Sequence, residues 1–166
     1  MCIRDSRILK LEVDEVTEIA SRILNTAAEY DKRVIPFEGG VRASYGTVAI
    51  VNSNGIEVQD KGTIIYAFLA TIAREGAKVS PVCYELDHNR IFKINPEWVG
   101  EEAARLAVNA LKTGKISPGR YTVIFDQKAL SELWEYTLTL AVQADFVQRD
   151  RSAFKLIGFS PFSSGR

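Results

Sequence analysis

An α+β fold, with an antiparallel-rich mixed sheet packed against amphipathic helices, is what this sequence predicts. Strand-like segments separated by turn residues fill the middle of the chain, with no βαβ repeat among them. Amphipathic helical patterns flank that middle on both sides. The chain, 166 residues with 46% hydrophobic content, can bury one sizeable core.

The first helix is expected to start near Asp14 as N-cap. Val16, Ile19, Ala20, Ile23, Leu24 and Ala27 then recur at helical spacing, with Glu15, Glu18, Ser21, Arg22 and Asn25 between them. That polar face is not rich in Lys or Arg, which argues against a membrane-surface role. Residues 33–37 form a short strand, broken by Glu38-Gly39-Gly40 as a turn or bulge. Residues 44–52 form the next, where Tyr45, Thr47, Val48, Ile50 and Val51 favour sheet. Asn52-Ser53-Asn54-Gly55 is the best turn signal, because Asn-Gly supplies the positive-φ positions of a tight hairpin. The chain then runs extended over 56–59 and turns near Asp60-Lys61-Gly62.

Residues 63–74 are the longest strand candidate. Ile64, Tyr66, Phe68, Ala70 and Ile72 form one alternating set, and Ile65, Ala67, Leu69, Thr71 and Ala73 the other. Both are mostly apolar, so cover on both faces of a central strand is expected. Residues 79–86 pair antiparallel with it across Glu75-Gly76-Ala77-Lys78. A helix opens with Asn95 as cap and Pro96 at its first position, where a missing N–H costs nothing. Val99, Ala103, Leu106, Ala107, Ala110 and Leu111 make its buried stripe, and Gly114 ends it. Pro118-Gly119 then turns the chain into a short strand over 121–125. Asp126 caps a last helix, on which Leu130, Leu133, Trp134, Thr137, Leu138, Ala141 and Val142 give a nearly continuous packing face with Trp134 in the core.

Acids and bases balance at 21 each, and Lys and Arg are scattered, so no nucleic-acid or acidic-membrane partner is expected. The two cysteines, Cys2 and Cys83, form no CxxC and suggest no disulfide framework, which favours a reducing compartment. No apolar run reaches the ~20 residues a bilayer span needs. The N-terminus lacks a basic head followed by an apolar segment. A cytoplasmic location is the resulting expectation.

His88, the single histidine, sits in a stretch read as an exposed loop. A zinc site needs several ligands, and Cys83, Glu85, Asp87 and His88 are not brought together by their spacing. Cys83 is read as a partly buried, inert strand thiol, with no histidine placed to activate it. Neither glycine-bearing turn has phosphate-loop spacing. Asp60, Asp87, Asp126 and Asp145 form no pair fixed for acid–base work, and Asp126 already has a capping role. Trp98 is read as interface or core.

Several stretches, in order and spacing, resemble a segment of the TldD/PmbA family, known also as modulators of DNA gyrase. They are Val51-Asn52-Ser53-Asn54-Gly55 leading into the long strand, Gly100-Glu101-Glu102-Ala103-Ala104 through Leu111, and residues 115–126. The last is Ala144-Asp145-Phe146 followed by Arg151-Ser152-Ala153-Phe154. The likeness covers roughly residues 8–158. The family's catalytic branch is a zinc metallopeptidase with a HExxxH helix and a cysteine far downstream. Laying Asp145-Phe146 on the matching Asp-Phe puts Glu135 at the first histidine, Tyr136 at the catalytic glutamate and Leu140 at the second histidine. These are degenerate motif positions: imidazoles on one helix face and a water-activating carboxylate are what that chemistry needs.

The departure points to the PmbA-like branch, also called TldE. The resemblance then implies part of a non-catalytic partner subunit of a peptidase complex, with no cofactor in this chain and zinc only in a TldD-like partner. A TldD-like subunit or self-association, and the peptide substrate of the complex, are the partners implied. Alternatives are a standalone peptidase or hydrolase using residues outside this segment, and a non-enzymatic peptide- or protein-binding module. Met1-Cys2-Ile3-Arg4-Asp5-Ser6 resembles a translated sequencing-library adaptor. The expected organisation is a non-native leader over 1–7, the α+β region of the N-terminal domain over 8–117, the start of the following family domain over 118–158, and a truncated or non-native tail over 159–166.

Overall fold

The computed structural model describes residues 4–154, so expectations resting on Cys2 or on residues 155–166 lie outside the described residues. The chain divides into two compact units, residues 1–115 and 116–166. In the first, a 3-10 turn (Ile8–Lys10) precedes α1 (Val13–Tyr30), β1 (Val34–Val51), β2 (Glu57–Glu75), β3 (Lys78–Val79), β4 (Cys83–Asn89) and α2 (Pro96–Ala110).

Helix α1 starts slightly earlier than its pattern suggests. Glu12, not Asp14, is the N-cap, in a reciprocal capping box with Glu15. Glu15 Oε2 accepts the Glu12 N–H at 3.3 Å, and Asp14 falls inside the first turn. Ile19, Ile23 and Ala27 are its buried stripe.

Every strand pairing is antiparallel, and β2 lies between β1 and β4. The Asn52–Gly55 turn is present as expected: Asn52 Oδ1 accepts the N–H groups of Asn54 and Ile56, and Gly55 has φ 80°. Of two other expected interruptions, the one near Glu38 is a bulge and not a turn, and the turn near Asp60 is absent. Glu38-Gly39-Gly40 lies inside β1, where the irregularity falls between Pro36 and Glu38 and leaves Phe37 as the extra residue. Gly39 instead permits close approach of β1 to β2, since a Cβ there would meet Leu69 Cδ1 at 2.9 Å. Asp60-Lys61-Gly62 pairs with Val48, Thr47 and Gly46, so the ladder overrides local turn chemistry.

One face of β2 is closed. Ile65, Ala67, Leu69, Thr71 and Ala73 are buried, in one core with Ile23, Ala27, Val99, Ala103, Ala104 and Ala107 of α1 and α2. Thr71 Oγ1 donates to the Ala103 carbonyl at 2.8 Å and ties the sheet to α2. The expected cover on the opposite face is only partial among the described residues: Ala70 is buried, Tyr66, Phe68 and Ile72 are half-buried, and Ile64 is exposed. Both helices pack on the same side.

The partner of β2 beyond its turn is also split. β3 ends at Val79 and β4 begins at Cys83, because Pro81 has no N–H to offer a ladder. Buried Ser80 bridges the gap, its Oγ accepting the Ala73 N–H at 2.9 Å and donating to the Pro81 carbonyl at 2.7 Å. Helix α2 opens as expected, with Asn95 Oδ1 accepting the Trp98 N–H at 3.1 Å. It stops at Ala110 rather than running to Gly114.

In the second unit, α3 (Gln127–Tyr136), α4 (Leu138–Ala141) and α5 (Ala144–Gln148) replace the single helix expected. The break is at Thr137, with φ −123° and ψ −77°, whose hydroxyl bonds back to the Leu133 carbonyl. Residues 121–125 form no strand, since none among the described residues pairs with them. Trp134, expected in the core, is 50% exposed, and α3 to α5 bury no residue.

Candidate functional site

Glu135 and Tyr136 occupy the last turn of α3, and Leu140 lies in α4 beyond the Thr137 break. All three are exposed. The break at Thr137 separates Glu135 and Tyr136 from Leu140 into two helices. Leu140 has no donor atom, and Tyr136 offers a phenol where the water-activating carboxylate is needed. Glu135 alone could touch a metal but could not hold one, so these residues do not fit a zinc ion. No group of three or more His, Cys, Asp or Glu able to hold a metal occurs among the described residues.

The strand constellation is divided by the sheet. Cys83, Glu85 and Asp87 lie on the face of β4 that carries Thr71, Leu69 and Ala67. His88, expected in a loop, is in β4 opposite Tyr66, exposed on the other face. The missed signal is the alternation itself, which continues through Asp87 and His88 to Asn89.

Several of the polar groups have structural partners. Cys83 Sγ lies 3.6 Å from the Pro81 carbonyl. Buried Glu85 accepts the Leu86 N–H at 2.9 Å. Asp87 accepts the Asn95 N–H at 2.8 Å, which holds the entry to α2. Asp126 caps α3 by accepting the Lys128 N–H at 2.9 Å, as expected. Asp60 accepts the Lys61 N–H at 3.0 Å and faces Arg90 at 4.0 Å. Asp145 stands in the first turn of α5, on the exposed surface. Trp98 is 42% exposed at the start of α2.

What the fold does assemble is an open apolar surface. On the uncovered sheet face, Gly40, Arg42, Ser44, Ile64, Tyr66 and Phe68 line a shallow depression. The Tyr66 and Phe68 rings lie 5.7 Å apart on its floor, and burial pushes the Tyr66 phenol upward in pKa. A second hollow, about 210 Å³, opens where Ala20 and Leu24 of α1 meet the irregular stretch around Phe37. Side chains of this kind can bind an apolar chain or a neighbouring domain, and none is arranged to cleave a bond.

Comparisons with known proteins agree with this geometry. Residues 6–111 match the family described as the PmbA/TldA metallopeptidase central domain. An uncharacterized protein of Methanocaldococcus jannaschii is 32% identical over 145 residues, covering 87% of this chain and 33% of that protein. The metalloprotease PmbA of Escherichia coli O157:H7 is 30% identical over 145 residues, covering 86% of this chain and 32% of its own. The chain thus spans about a third of the length of the curated relatives it matches. A crystal structure from Thermotoga maritima, provisionally described as a modulator of a DNA gyrase, superposes with TM-score 0.81 at 27% identity, over 93% of this chain and 36% of that one. TldE from Thermococcus kodakarensis shares the fold with TM-score 0.73 at 20% identity, over 91% and 34%.

Proposed function

The chain belongs to the PmbA/TldD metallopeptidase family, and from that premise we propose that it is part of a non-catalytic subunit of a peptide-cleaving complex. What supports the reading is the lack of any group of three or more His, Cys, Asp or Glu able to hold a metal among the described residues, with Glu135, Tyr136 and Leu140 where the resemblance would lay the zinc helix. In this reading, zinc and the water it activates belong to a TldD-like partner, and peptide is the substrate of the pair. This chain's share of the work is packing and presentation of a surface. A cytoplasmic setting fits a complex of this type. Among the described residues, no helix is long and apolar enough to cross a membrane.

The test is peptide hydrolysis with added zinc, using the full-length protein alone and mixed with a HExxxH-bearing relative from the same source. Cleavage only in the mixture, with co-elution on sizing, is expected. Cleavage by this protein alone would place catalytic residues elsewhere in it and overturn the reading.

A further inference from the structure

The tip of the β1–β2 hairpin carries the only Asn-Gly pair of the sequence, Asn54-Gly55, and both residues are exposed. The Asn54 main-chain N–H donates to Asn52 Oδ1 at 3.0 Å, while its side-chain amide has no hydrogen-bond partner among the described residues. Gly55 has φ 80°, and nothing lies within 4 Å of its Cβ position. With no side chain of its own to shield it, the Gly55 nitrogen is open to approach by the amide of the residue before it. Its one bond is a long turn contact, 3.2 Å to the Asn52 carbonyl. Such a bond at the exposed end of a two-stranded ribbon opens at little cost.

The remaining asparagines lack this combination. Asn25 lies in α1 and Asn109 in α2, where the following N–H is committed to a helical carbonyl. Asn52 Oδ1 accepts two N–H groups. Asn89 Oδ1 accepts the Ile91 N–H at 3.2 Å, and Arg90 follows it. Asn95 caps α2 and precedes Pro96, which has no N–H.

We propose that Asn54 is a site of spontaneous deamidation and isomerisation. The Gly55 nitrogen loses its proton and attacks Asn54 Cγ. The N–Cγ bond forms, the Cγ–Nδ2 bond breaks, and ammonia leaves with the proton. Both reacting groups belong to adjacent residues, so the step is intramolecular. Water then opens the resulting five-membered succinimide, its hydroxyl going to a carbonyl carbon and its proton to the nitrogen. Opening at Cγ leaves aspartate. Opening at the main-chain carbonyl of residue 54 leaves isoaspartate, whose chain runs through Cβ and Cγ. Either product puts a carboxylate into Ala43 through Ile56, a stretch without charge. Isoaspartate also strains the turn. Asn52 Oδ1 holds the N–H of Asn54 before the altered link and that of Ile56 after it, at 3.0 and 3.1 Å, and an added methylene pulls these apart. The inference concerns the hairpin alone and does not rest on the peptidase reading.

The test is ageing of the folded full-length protein in mildly alkaline buffer, followed by peptide mapping with mass spectrometry. The Asn54 peptide is expected to give two products, isoaspartyl and aspartyl, each with an amide NH2 replaced by OH. It should convert at least about tenfold faster than any other asparagine peptide. Gly55→Ala, verified as folded by circular dichroism, should slow conversion at least about tenfold, because a methyl group then shields the nitrogen. Asn54→Gln keeps the amide and the glycine but must close a larger ring, and should stay intact over the same period. An Asn54 that stays intact in the folded protein overturns the inference, since the turn bond then protects the nitrogen. Conversion no faster than at the other asparagines, or unslowed by Gly55→Ala, overturns it as well.

Discussion

Gly100 is where the two helices of the first unit come closest, and replacing it with alanine should destabilise the fold despite alanine's better helix propensity. A Cβ at Gly100 would lie 2.3 Å from the Ile23 carbonyl oxygen, 3.1 Å from Thr26 Cβ and 3.2 Å from the Ala27 nitrogen. Ordinary contact begins near 3.4 Å, so α2 would have to withdraw from α1 by about 1.1 Å. The obstacle is backbone, so no rotamer change relieves it. Withdrawal would loosen Val99, Ala103 and Ala107, all fully buried, from Ile23 and Ala27. Overpacking of this sort costs about 1–3 kcal/mol, and the upper part of that range applies where backbone must move. The Gly-to-Ala helix gain of about 1 kcal/mol offsets part of it. A net loss of about 1–2 kcal/mol should lower Tm by roughly 2–8 °C. Gly46→Ala is the control, because nothing lies within 4 Å of its Cβ position, and it should be neutral or slightly stabilising. Urea and thermal denaturation of the parent and both variants decide the matter. A Gly100→Ala protein as stable as the parent would refute the close-contact reasoning.

Three further substitutions probe the sheet and its attachments. Thr71→Val keeps shape but removes the bond to the Ala103 carbonyl, and should cost about 1 kcal/mol in urea unfolding. Ser80→Ala strands the Ala73 N–H in a buried place, so a loss of about 1–3 kcal/mol is expected by the same measurement. Asp31 is held down to about 2 from 3.8, chiefly by side-chain hydrogen bonds from Arg33 and then by the Arg33 backbone N–H. A depressed carboxylate contributes stability above its unfolded pKa and loses it as pH falls through the folded value. Stability should therefore decline between about pH 4 and pH 2, and Asp31→Asn should flatten that part of a pH-denaturation profile.

Where local chemistry and long-range pairing agree, the fold was legible. Asn95-Pro96 opens α2, Asn52 to Gly55 makes the hairpin, and the alternation of Ile65, Ala67, Leu69, Thr71 and Ala73 marks the buried face. Where they compete, local signals misled. Gly39-Gly40 and Asp60-Lys61-Gly62 look like breaks, yet cross-strand bonding carries β1 and β2 straight through them. The opposite set on β2 is as apolar as the buried one, and composition cannot say which of two apolar faces meets a helix. Thr137 misled in the other direction. It sits in helical phase with Trp134 and Leu138, while its hydroxyl competes for the backbone and the helix breaks there.

The site was legible only in part for a related reason. Residue identities at 135, 136 and 140 follow from the resemblance, but the break between them depends on backbone geometry that a pattern of residue types does not encode. Four carboxylates have structural roles that the sequence shows only in part. Asp5 accepts the Arg7 and Phe92 N–H groups, Asp31 grips Arg33, Asp87 holds the entry to α2 and Asp126 caps α3. A catalytic acid or base must be free to exchange a proton with substrate near neutral pH. Asp5 and Asp31 are instead pushed to lower pKa by the very bonds that fix the chain. These four acids stabilise the scaffold.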